Sequence, residues 1–312
     1  MPTPALPLPP PAHEAPLPPA RPAHSGVRLL AGVPYAAIPG LRPLELDLWL
    51  PPEGDGPVPA VVYLHGGGWR LGSRHSAGPA YADADPTPFE QVALAGIAVA
   101  SVDYRLSGEA VWPAQLHDAK AAVRWLRARA GELGIDPARI AAWGESAGGH
   151  LAELLGLTAG DTGLEGDVGV TGPPSDVVAV AAWYAPSDLV GFAADAGADP
   201  TDPATREAQL LGGPVPTLPE AAAQASPVTH VAPGAPPFLL LHGRADRFIP
   251  CVQSERLRAA LAAAGADVEL ELLDGADHMW LGVPEAAPHA LDRTSNFLRR
   301  RLGADPTTKD DA

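Results

Sequence analysis

The sequence predicts an α/β fold in which helices cover both faces of a mostly parallel central sheet. From Val27 onward, short apolar runs alternate with segments of helical periodicity, which is typical of a chain whose successive strands are joined by helices. Two of these runs, residues 60–64 and 97–102, are almost entirely apolar, as expected of strands that are buried on both faces. With 312 residues and 46% hydrophobic content, the chain can bury the large core that such a fold needs.

Composition predicts one globular domain with a tail at each end. Ten of the 38 prolines fall within the first 22 residues, a density that prevents a helix or sheet interior and favours a solvated, polyproline-like segment. We therefore predict a disordered Pro-rich arm over residues 1–25, an α/β domain over residues 26–303 and a disordered tail over residues 304–312. Within the domain, the Pro-, Ala- and Asp-rich residues 187–236 are predicted to form a cap-like excursion from the sheet.

Charge and cysteine content exclude several classes of function. The chain has 37 acidic residues against 21 Lys and Arg residues, and the resulting formal charge of −16 disfavours nucleic acid or an anionic membrane surface as a partner. Cys251 is the single cysteine, so neither an internal disulfide nor a cysteine-built metal site is expected. The first residues lack the basic and apolar regions of a secretory signal, and no apolar run reaches the roughly 18 residues of a membrane span, so we expect a cytoplasmic protein.

Strand predictions follow the chain in order. Residues Leu44–Leu50 alternate with a period of two, which predicts an early, half-exposed strand, and the turn-forming residues 51–57 end it. In addition to the two apolar runs named above, strands are predicted over residues 139–143, 177–183, 238–241 and 268–272.

Helices are predicted between these strands. Pro113 suits the first helical position, and the apolar residues after it recur in steps of three and four with basic residues between them. Further helical patterns cover residues 147–157, 253–264 and 284–302. Each of these helices follows a predicted strand, so the alternation of strand and helix continues through most of the domain.

The strongest local signal is the sequence Gly144-Glu145-Ser146-Ala147-Gly148, which lies between a predicted strand and a predicted helix. A G-x-S-x-G motif in that context is typical of a nucleophile elbow, in which the serine is held on a sharp turn. The backbone of such a turn is strained, and glycines on either side relieve the crowding. Ser146 is therefore the candidate nucleophile, and a chance occurrence of the motif in an Ala- and Gly-rich chain is the alternative.

A second motif, His65-Gly66-Gly67-Gly68-Trp69, follows the strand predicted over residues 60–64. Three glycines at the end of a strand let the backbone turn its N–H groups inward, and a loop of this kind forms half of the oxyanion hole in lipases and esterases. We predict that the donors are the amides of Gly67, Gly68 and Ala147. The alternative is an ordinary glycine-rich turn, and His65 is expected to brace the loop rather than to transfer a proton.

A serine hydroxyl needs a base and an orienting carboxylate, and in this type of fold both follow the serine in the chain. Asp246 and His278 each follow a predicted strand and therefore belong to loops at the carboxyl edge of the sheet. Asp188 also follows a strand and is a rival for the role of the acid. Asp277 is adjacent to His278 and is expected to cap the loop instead.

No motif for a metal ion or a nucleotide cofactor is present in the sequence. It contains neither H-E-x-x-H nor a cluster of histidines at ligand spacing, and neither a G-x-G-x-x-G nor a Walker-type loop follows a strand. We predict a site without metal or cofactor that acts on a small-molecule ester, in a protein that is a monomer or a homodimer.

Together these segments resemble the α/β-hydrolase superfamily, in particular hormone-sensitive-lipase-like carboxylesterases and feruloyl or acetyl esterases of the BD-FAE type. The segments that carry the resemblance are residues 65–73, 102–106, 113–126, 144–150, 225–227 and 237–250. The resemblance implies an α/β-hydrolase fold and a serine ester hydrolase whose catalytic triad is Ser146, Asp246 and His278. The sequence Gly-Ala-Asp-His at residues 275–278 departs from the Gly-Ala-Gly-His that is frequent in related enzymes.

The predicted substrates are esters with a short acyl chain or an aromatic, feruloyl-like group. Apolar residues in or beside the same loops are expected to line the pocket, namely Trp69, Leu71, Trp112, Trp183, Phe248, Met279 and Trp280. An amidase or arylformamidase on the same scaffold is one alternative. A binding protein without catalysis is another, although such proteins usually lack the serine or the histidine.

Overall fold

A central sheet of nine strands organises the part of the chain that the computed structural model describes, residues 11–54 and 56–304. The strands are β1 (Arg21–Pro22), β2 (Arg28–Ala36), β3 (Leu44–Leu50), β4 (Val58–Leu64), β5 (Ala98–Val102), β6 (Ile135–Glu145), β7 (Val180–Trp183), β8 (Phe238–Gly243) and β9 (Val268–Leu273). Their order across the sheet is β1-β2-β3-β5-β4-β6-β7-β8-β9. The pairs β1–β2, β2–β3 and β3–β5 are antiparallel, and all the other pairs are parallel, as predicted.

Helices connect the strands and cover the sheet. They are α1 (Pro88–Leu94), α2 (Ala114–Ala128), α3 (Ala130–Leu133), α4 (Ala147–Leu157), α5 (Thr162–Glu165), α6 (Phe192–Ala196), α7 (Arg206–Leu211), α8 (Pro219–Gln224), α9 (Val252–Ala263) and α10 (Ala286–Leu302). Short 3₁₀ turns occupy Ala12–Glu14, His24–Gly26, Pro79–Tyr81, Val215–Thr217, Pro227–His230 and His278–Trp280. Residues 187–236 thus carry three short helices between β7 and β8 instead of a single connecting helix.

The parallel strands bring four loops to one edge of the sheet. Because β4, β6, β8 and β9 run in the same direction, the loops that follow them leave the sheet at their common carboxyl ends. These loops carry the glycine motif at residues 65–68, then Ser146, Asp246 and His278. The topology alone therefore places the candidate residues on one side of the molecule.

Two apolar clusters bury the two faces of the sheet, and β3 takes part in both. Leu46 and Leu48 belong to one cluster and Trp49 to the other. The prediction that this strand is half-exposed was wrong, since six of its seven residues are buried. Its central polar residue, Asp47, accepts a hydrogen bond from the Gly32 amide at 2.7 Å and pairs with Arg74 at 3.0 Å, so an internal ion pair takes the place of solvent on that face.

The described part of the predicted N-terminal arm lies on the domain. The indole of Trp125 donates to the carbonyl of His13 at 3.0 Å, and the Arg129 guanidinium donates to the carbonyl of Ala15 at 2.8 Å. Residues 21–22 pair with β2 as the edge strand β1. From residue 12 on, the segment is therefore not solvated throughout as predicted, because the side chains of Trp125 and Arg129 donate hydrogen bonds to its backbone. Residues 1–10 of the arm and residues 305–312 of the predicted tail lie outside the described residues.

Candidate active site

Ser146 lies on a sharp turn between β6 and α4. Its backbone has φ +51° and ψ −121°, a conformation that residues with a side chain rarely adopt, and its amide donates to the carbonyl of Trp183 at 2.8 Å. A Cβ on Gly144 would overlap the carbonyl of Gly148, and a Cβ on Gly148 would overlap that of Leu64. Because only glycine fits at both positions, the G-x-S-x-G spacing allows the strand to turn directly into the helix.

Three side chains from three loops meet at this turn. His278 Nε2 lies 3.1 Å from Ser146 Oγ, and His278 Nδ1 lies 2.7 Å from Asp246 Oδ2. Both distances are those of hydrogen bonds, so the imidazole joins the hydroxyl and the carboxylate in one continuous chain. The three residues are only 7–8% exposed. This is the geometry of a nucleophile, a base and an acid that orients the base.

The carboxylate of Asp246 is surrounded by donors. Its Oδ1 accepts hydrogen bonds from the amides of Phe248 and Ile249, both at 2.8 Å, and its Oδ2 lies 3.4 Å from His242 Nε2. Burial alone would raise the pKa of Asp246, but hydrogen bonds from His242, His278 and the Ile249 amide hold that pKa well below its usual range. Asp246 is therefore an anion at neutral pH, as the stabilisation of an imidazolium requires.

The glycine loop after β4 is fixed against the sheet. The hydroxyl of Tyr104 donates to the carbonyl of His65 at 2.8 Å, and the two rings stack with 4.3 Å between centroids. Gly67, Gly68 and Ala147 line the cavity at the elbow. Within residues 11–54 and 56–304 the amides of these three residues donate no hydrogen bond, so each is available to an oxygen atom of a ligand.

Glu145 connects the elbow with the glycine loop. Its carboxylate accepts a hydrogen bond from the hydroxyl of Tyr184 at 2.5 Å and a long one from the Gly66 amide at 3.4 Å. Burial raises the pKa of Glu145 more than these hydrogen bonds lower it. The Tyr184 ring also packs edge-on against the imidazole of His278, with 4.7 Å between centroids. This one network therefore holds the serine turn, the loop and the imidazole relative to one another.

A cavity of about 340 Å³ opens beside Ser146. Four of the seven predicted pocket residues line it, namely Trp69, Leu71, Phe248 and Met279. Trp69 is buried, whereas Leu71 and Phe248 are 57% and 47% exposed, so the cavity presents apolar side chains to anything that enters it.

The other three predicted pocket residues, Trp112, Trp183 and Trp280, do not line this cavity, and for them the prediction was wrong. The indole of Trp183 donates to the hydroxyl of Thr294 at 2.8 Å, and Trp280 packs edge-on against it with 5.6 Å between centroids. The indole of Trp112 donates to Gln224 at 2.9 Å. All three are at most 6% exposed, because each satisfies its N–H or packs its ring within the core.

The two rival carboxylates have other partners. Asp188 pairs with Arg256 at 3.1 Å, away from the imidazole. Asp277 accepts a hydrogen bond from the His278 amide at 2.8 Å and one from Arg247 Nε at 2.6 Å, so it caps the loop as expected. The φ of Asp277 is −92°, which any residue adopts, so the glycine that is frequent in related sequences is not required here.

Two residues near the site were not identified from the sequence. His242 lies 2.8 Å from both the Ser254 hydroxyl and the Ile249 carbonyl, and it thereby supports the loop that carries Asp246. Its place at the end of the same strand, four residues before Asp246, was a signal that could have identified it. The second residue is Arg206 of α7, which lines the cavity. No motif in residues 187–236 connects it with the other loops.

Neither a membrane-spanning helix nor a metal-binding cluster occurs in residues 11–54 and 56–304. The helices there are too short or too polar to cross a bilayer. No three His, Cys, Asp or Glu side chains of these residues are grouped so that they could hold a metal ion.

The chain is similar in sequence to one protein family and to individual esterases. A family model described as BD-FAE matches residues 46–261. Carboxylesterase NlhH of Mycobacterium tuberculosis is 35% identical over 280 residues, which cover 85% of this chain and 81% of NlhH. Esterase LipC of the same bacterium is 34% identical over 246 residues, which cover 74% of this chain but 58% of LipC, so the chain spans less than two thirds of that relative.

The fold is also that of a solved structure, a truncated form of a carbohydrate esterase from gut microbiota. The two chains share 29% sequence identity and superimpose with a TM-score of 0.78, over 90% of this chain and 99% of the other. The predicted fold, a mostly parallel sheet with helices on both faces, is confirmed by this likeness together with the observed strand order.

Proposed function

Because the chain belongs to the BD-FAE family of α/β-hydrolases, we propose that it is a serine carboxylic-ester hydrolase that works through an acyl-enzyme. The observation that carries the proposal is the hydrogen-bonded chain from Ser146 through His278 to Asp246. That hydrogen-bonded chain lies beside a cavity that Gly67 and Gly68 line, and the amides of these glycines donate no hydrogen bond to another described residue. A nucleophile, its base and donors for an oxyanion are the three elements that acyl transfer needs.

In the acylation step, Ser146 Oγ attacks the carbonyl carbon of the ester while His278 Nε2 accepts the hydroxyl proton. The carbonyl oxygen becomes an oxyanion, which accepts hydrogen bonds from the amides of Gly67, Gly68 and Ala147. Each such donor typically lowers the barrier by about 3 kcal/mol. The bond from carbon to the alcohol oxygen then breaks, the imidazolium returns the proton to the leaving alcohol, and the acyl group stays on the serine.

In the deacylation step, water takes the place of the alcohol. His278 accepts a proton from the water as its oxygen attacks the acyl carbon, and then returns the proton to Ser146 Oγ as the carboxylic acid leaves. Asp246 stabilises the imidazolium in both steps. Because only a neutral imidazole can accept a proton, both steps require the unprotonated form of His278.

The size and lining of the cavity support short-chain acyl or aromatic esters as substrates. A volume of about 340 Å³ is near the lower end of the range of ligand pockets, about 300–1,000 Å³. The exposed side chains of Leu71 and Phe248 offer apolar contacts for a small acyl chain or a phenolic ring.

The Ser146→Ala variant tests the proposal. With 4-nitrophenyl butanoate, kcat is expected to fall at least about 10³-fold, because the nucleophile is removed while binding and the oxyanion amides remain. Circular dichroism should show an unchanged fold. The matched control is Ser295→Ala in α10, which removes a hydroxyl outside the cavity and should retain activity.

Two outcomes would contradict the proposal. Full activity of Ser146→Ala would exclude this serine as the nucleophile. The preferred substrate is determined by comparing butanoyl, octanoyl and feruloyl esters with the matching amides. If the amides were turned over faster than the esters, the protein would be an amidase and not an esterase.

A further inference from the structure

We propose that the cavity selects esters that carry a carboxylate group, which the guanidinium groups of Arg206 and Arg70 bind at its exposed rim. The inference rests on the proposed esterase function and names a substrate class for it. Its starting point is that both arginines line the cavity next to Ser146, that both are exposed, and that neither forms an ion pair with another described residue.

Arg206 is packed between the glycine loop and an aromatic ring. A Cβ on Gly68 would overlap Cδ of Arg206 and would lie 3.0 Å from its Nε, so the aliphatic part of the side chain lies directly on this loop. The guanidinium carbon lies 5.5 Å from the centroid of the Phe248 ring. The charged group is therefore held beside the proposed oxyanion donors and over one of the apolar residues of the cavity.

Arg70 follows the glycine loop in the chain and contacts the same helix. Its Nη1 donates to the amide oxygen of Gln209 at 3.3 Å, and Gln209 lies one turn after Arg206 in α7. This partner is neutral, so it orients the Arg70 guanidinium without compensating its charge. Two guanidinium groups are thus anchored to one short helix at the rim of the cavity.

The absence of acidic partners distinguishes these two arginines from most others in the protein. Within residues 11–54 and 56–304, at least fourteen arginines pair with a carboxylate. In the described part of the chain, those without an ion pair are Arg21, Arg70, Arg206 and Arg258. Two of these four line the cavity, although the chain has 37 acidic residues and a net charge of −16. A guanidinium that is unpaired in so acidic a protein is available to an anion from solution.

The cavity wall also contains two acidic residues, and burial disfavours their charged forms. Glu145 and Glu207 also line the cavity. Burial raises the pKa of each carboxyl, for Glu207 in spite of the nearby Arg206, and Glu145 is in addition hydrogen-bonded to Tyr184. A guanidinium group stays charged at every accessible pH, whereas burial favours the neutral form of these two carboxyl groups, so the balance of charge at the rim is shifted towards positive.

A carboxylate is the anion that fits these observations. A guanidinium binds a carboxylate through two parallel hydrogen bonds, and a second arginine increases the attraction. Because the two arginines stand at the rim and not at Ser146, the carboxylate must be separated from the scissile ester by several bonds. It can belong to the acyl part, as in the monoester of a dicarboxylic acid, or to the alcohol part, as in an ester of a hydroxybenzoic acid.

Two pairs of isosteric esters test the proposal and distinguish these sources. In the first pair the charge is on the alcohol side, with 3-carboxyphenyl butanoate compared with 3-carbamoylphenyl butanoate. In the second pair it is on the acyl side, with mono-4-nitrophenyl adipate compared with the corresponding adipamate. We expect kcat/KM to be about three- to tenfold higher for the charged member of at least one pair, and the ratio to decrease as ionic strength rises. A ratio of one or less in both pairs would overturn the proposal.

Variants assign the effect to the arginines. The charged-to-neutral ratio should fall in Arg206→Gln and in Arg70→Gln, and further in the double variant. Arg258→Gln is the matched control, because it removes an exposed, unpaired arginine of α9 that does not line the cavity. An unchanged ratio in the double variant, or an equal loss in Arg258→Gln, would show that the rim arginines do not recognise the carboxylate.

A binding measurement separates this proposal from the proposed function. Titration of the Ser146→Ala variant with the first pair of esters reports affinity without turnover, and the charged ester should bind more tightly. If wild type hydrolyses the neutral esters but has no preference for charge, only the carboxylate inference fails. If wild type hydrolyses none of the esters, the esterase function fails, and the binding ratio still decides the role of the arginines.

Discussion

Asp246 and Glu153 are both buried carboxyl groups, yet their surroundings shift their pKa values in opposite directions. Asp246 accepts hydrogen bonds from two amides and from His278, and its pKa is held below the usual range despite burial. Both oxygens of Glu153, in α4, have no hydrogen-bond partner among the described residues, and burial raises the pKa of this carboxyl well above its usual value. Asp246 is thus anionic in the folded protein, whereas Glu153 favours the neutral form.

Glu153→Leu is predicted to stabilise the protein, and increasingly so as the pH rises. The pKa of Glu153 is higher in the folded than in the unfolded protein. The contribution of this carboxyl to the free energy of unfolding is therefore most favourable below the unfolded pKa, about 4.3, and it is lost as the pH rises through the folded pKa. Removing the unpartnered carboxyl should raise the free energy of unfolding by about 1–3 kcal/mol at pH 8, and by less at pH 4. Urea unfolding at both pH values measures this change.

Glu153→Gln serves as the control for that experiment. It removes the titration but keeps a polar group of the same size, so it should flatten the pH dependence with a smaller gain at pH 8. A Glu153→Leu protein that is no more stable than wild type at pH 8 would mean that water or a structural change satisfies the carboxyl.

A residue is easier to place from the sequence when its neighbours restrict it to one kind of local structure than when its side chain can face either of two environments. Ser146 was identifiable because the flanking glycines are a steric requirement of its turn, which the overlaps at Gly144 and Gly148 explain. The position of the Trp183 side chain was not identifiable in this way, because a tryptophan at the end of a strand can face either a pocket or the core. That choice depends on partners such as Thr294, which lies over 100 positions away in the chain.

At the scale of elements, α4 joins the glycine loop to residues 187–236 through one side chain. The Trp69 indole donates to His150 Nδ1 at 3.3 Å, and His150 Nε2 lies 2.6 Å from the carbonyl of Ala225. The imidazole therefore accepts from the loop and donates to the segment before β8, which fixes its tautomer. Burial lowers the pKa of His150 to about 4, so the ring stays neutral in the pH range where these bonds are needed.

His150→Phe is predicted to weaken the junction of these elements. It keeps a ring but leaves the Trp69 N–H and the Ala225 carbonyl without partners, which should lower the free energy of unfolding at pH 7.5 by about 2–4 kcal/mol. Activity should fall too, since Trp69 is adjacent in sequence to Gly68, one of the proposed oxyanion donors. Urea unfolding and kcat/KM measure the two effects, and His230→Phe, at a half-buried histidine with one hydrogen bond, is the control.

The effect of His150→Phe on the free energy of unfolding is also expected to depend on pH. Because the folded pKa of His150 lies below its ordinary value of 6.5, the stability this residue contributes is present above pH 6.5 and is lost as the pH falls toward about 4. The stability difference between wild type and His150→Phe should therefore shrink from pH 7.5 to pH 4.5. A difference that stays constant over this interval would contradict the neutral, buried imidazole.

Elements with a strong periodic pattern were predicted to within a few residues. The helix expected over residues 147–157 is α4, and the strand expected over residues 44–50 is β3. The burial of β3 was not predicted, because a period of two does not show that Arg74 would cover its polar face. The three helices α6, α7 and α8 were not predicted either, since segments of six residues or fewer contain too little of a helical period.

At the scale of the whole molecule, the candidate site is assembled from segments that span most of the chain. The elbow, the glycine loop and the loops of Asp246 and His278 were predicted together, because parallel strands send their carboxyl ends to one edge. Arg206 and Arg70, by contrast, were not predicted to belong to the site. Arg206 reaches the cavity through the path of residues 187–236, which follows from tertiary packing and from no local pattern.

Removal of the N-terminal segment is predicted to lower the stability of the protein without changing its catalytic activity. Residues 12–22 contact α2 and β2, and none of residues 11–25 lines the cavity beside Ser146. A variant without residues 1–22 loses the backbone partners of Trp125 and Arg129 together with strand β1. We expect its free energy of unfolding to be lower by about 1–3 kcal/mol, with kcat/KM for 4-nitrophenyl butanoate within about twofold of the full chain.

The matched control for this truncation lacks residues 1–10 alone and keeps each of the contacts named for residues 12–22. Thermal unfolding of the three proteins measures the first effect and initial rates measure the second. If the truncation at residue 22 left the unfolding temperature unchanged, the contacts of His13 and Ala15 would not contribute to stability. If instead it lowered kcat/KM by tenfold or more while the fold was retained, the segment would be coupled to the site through α2, because α2 packs directly against α4, the helix that begins after Ser146.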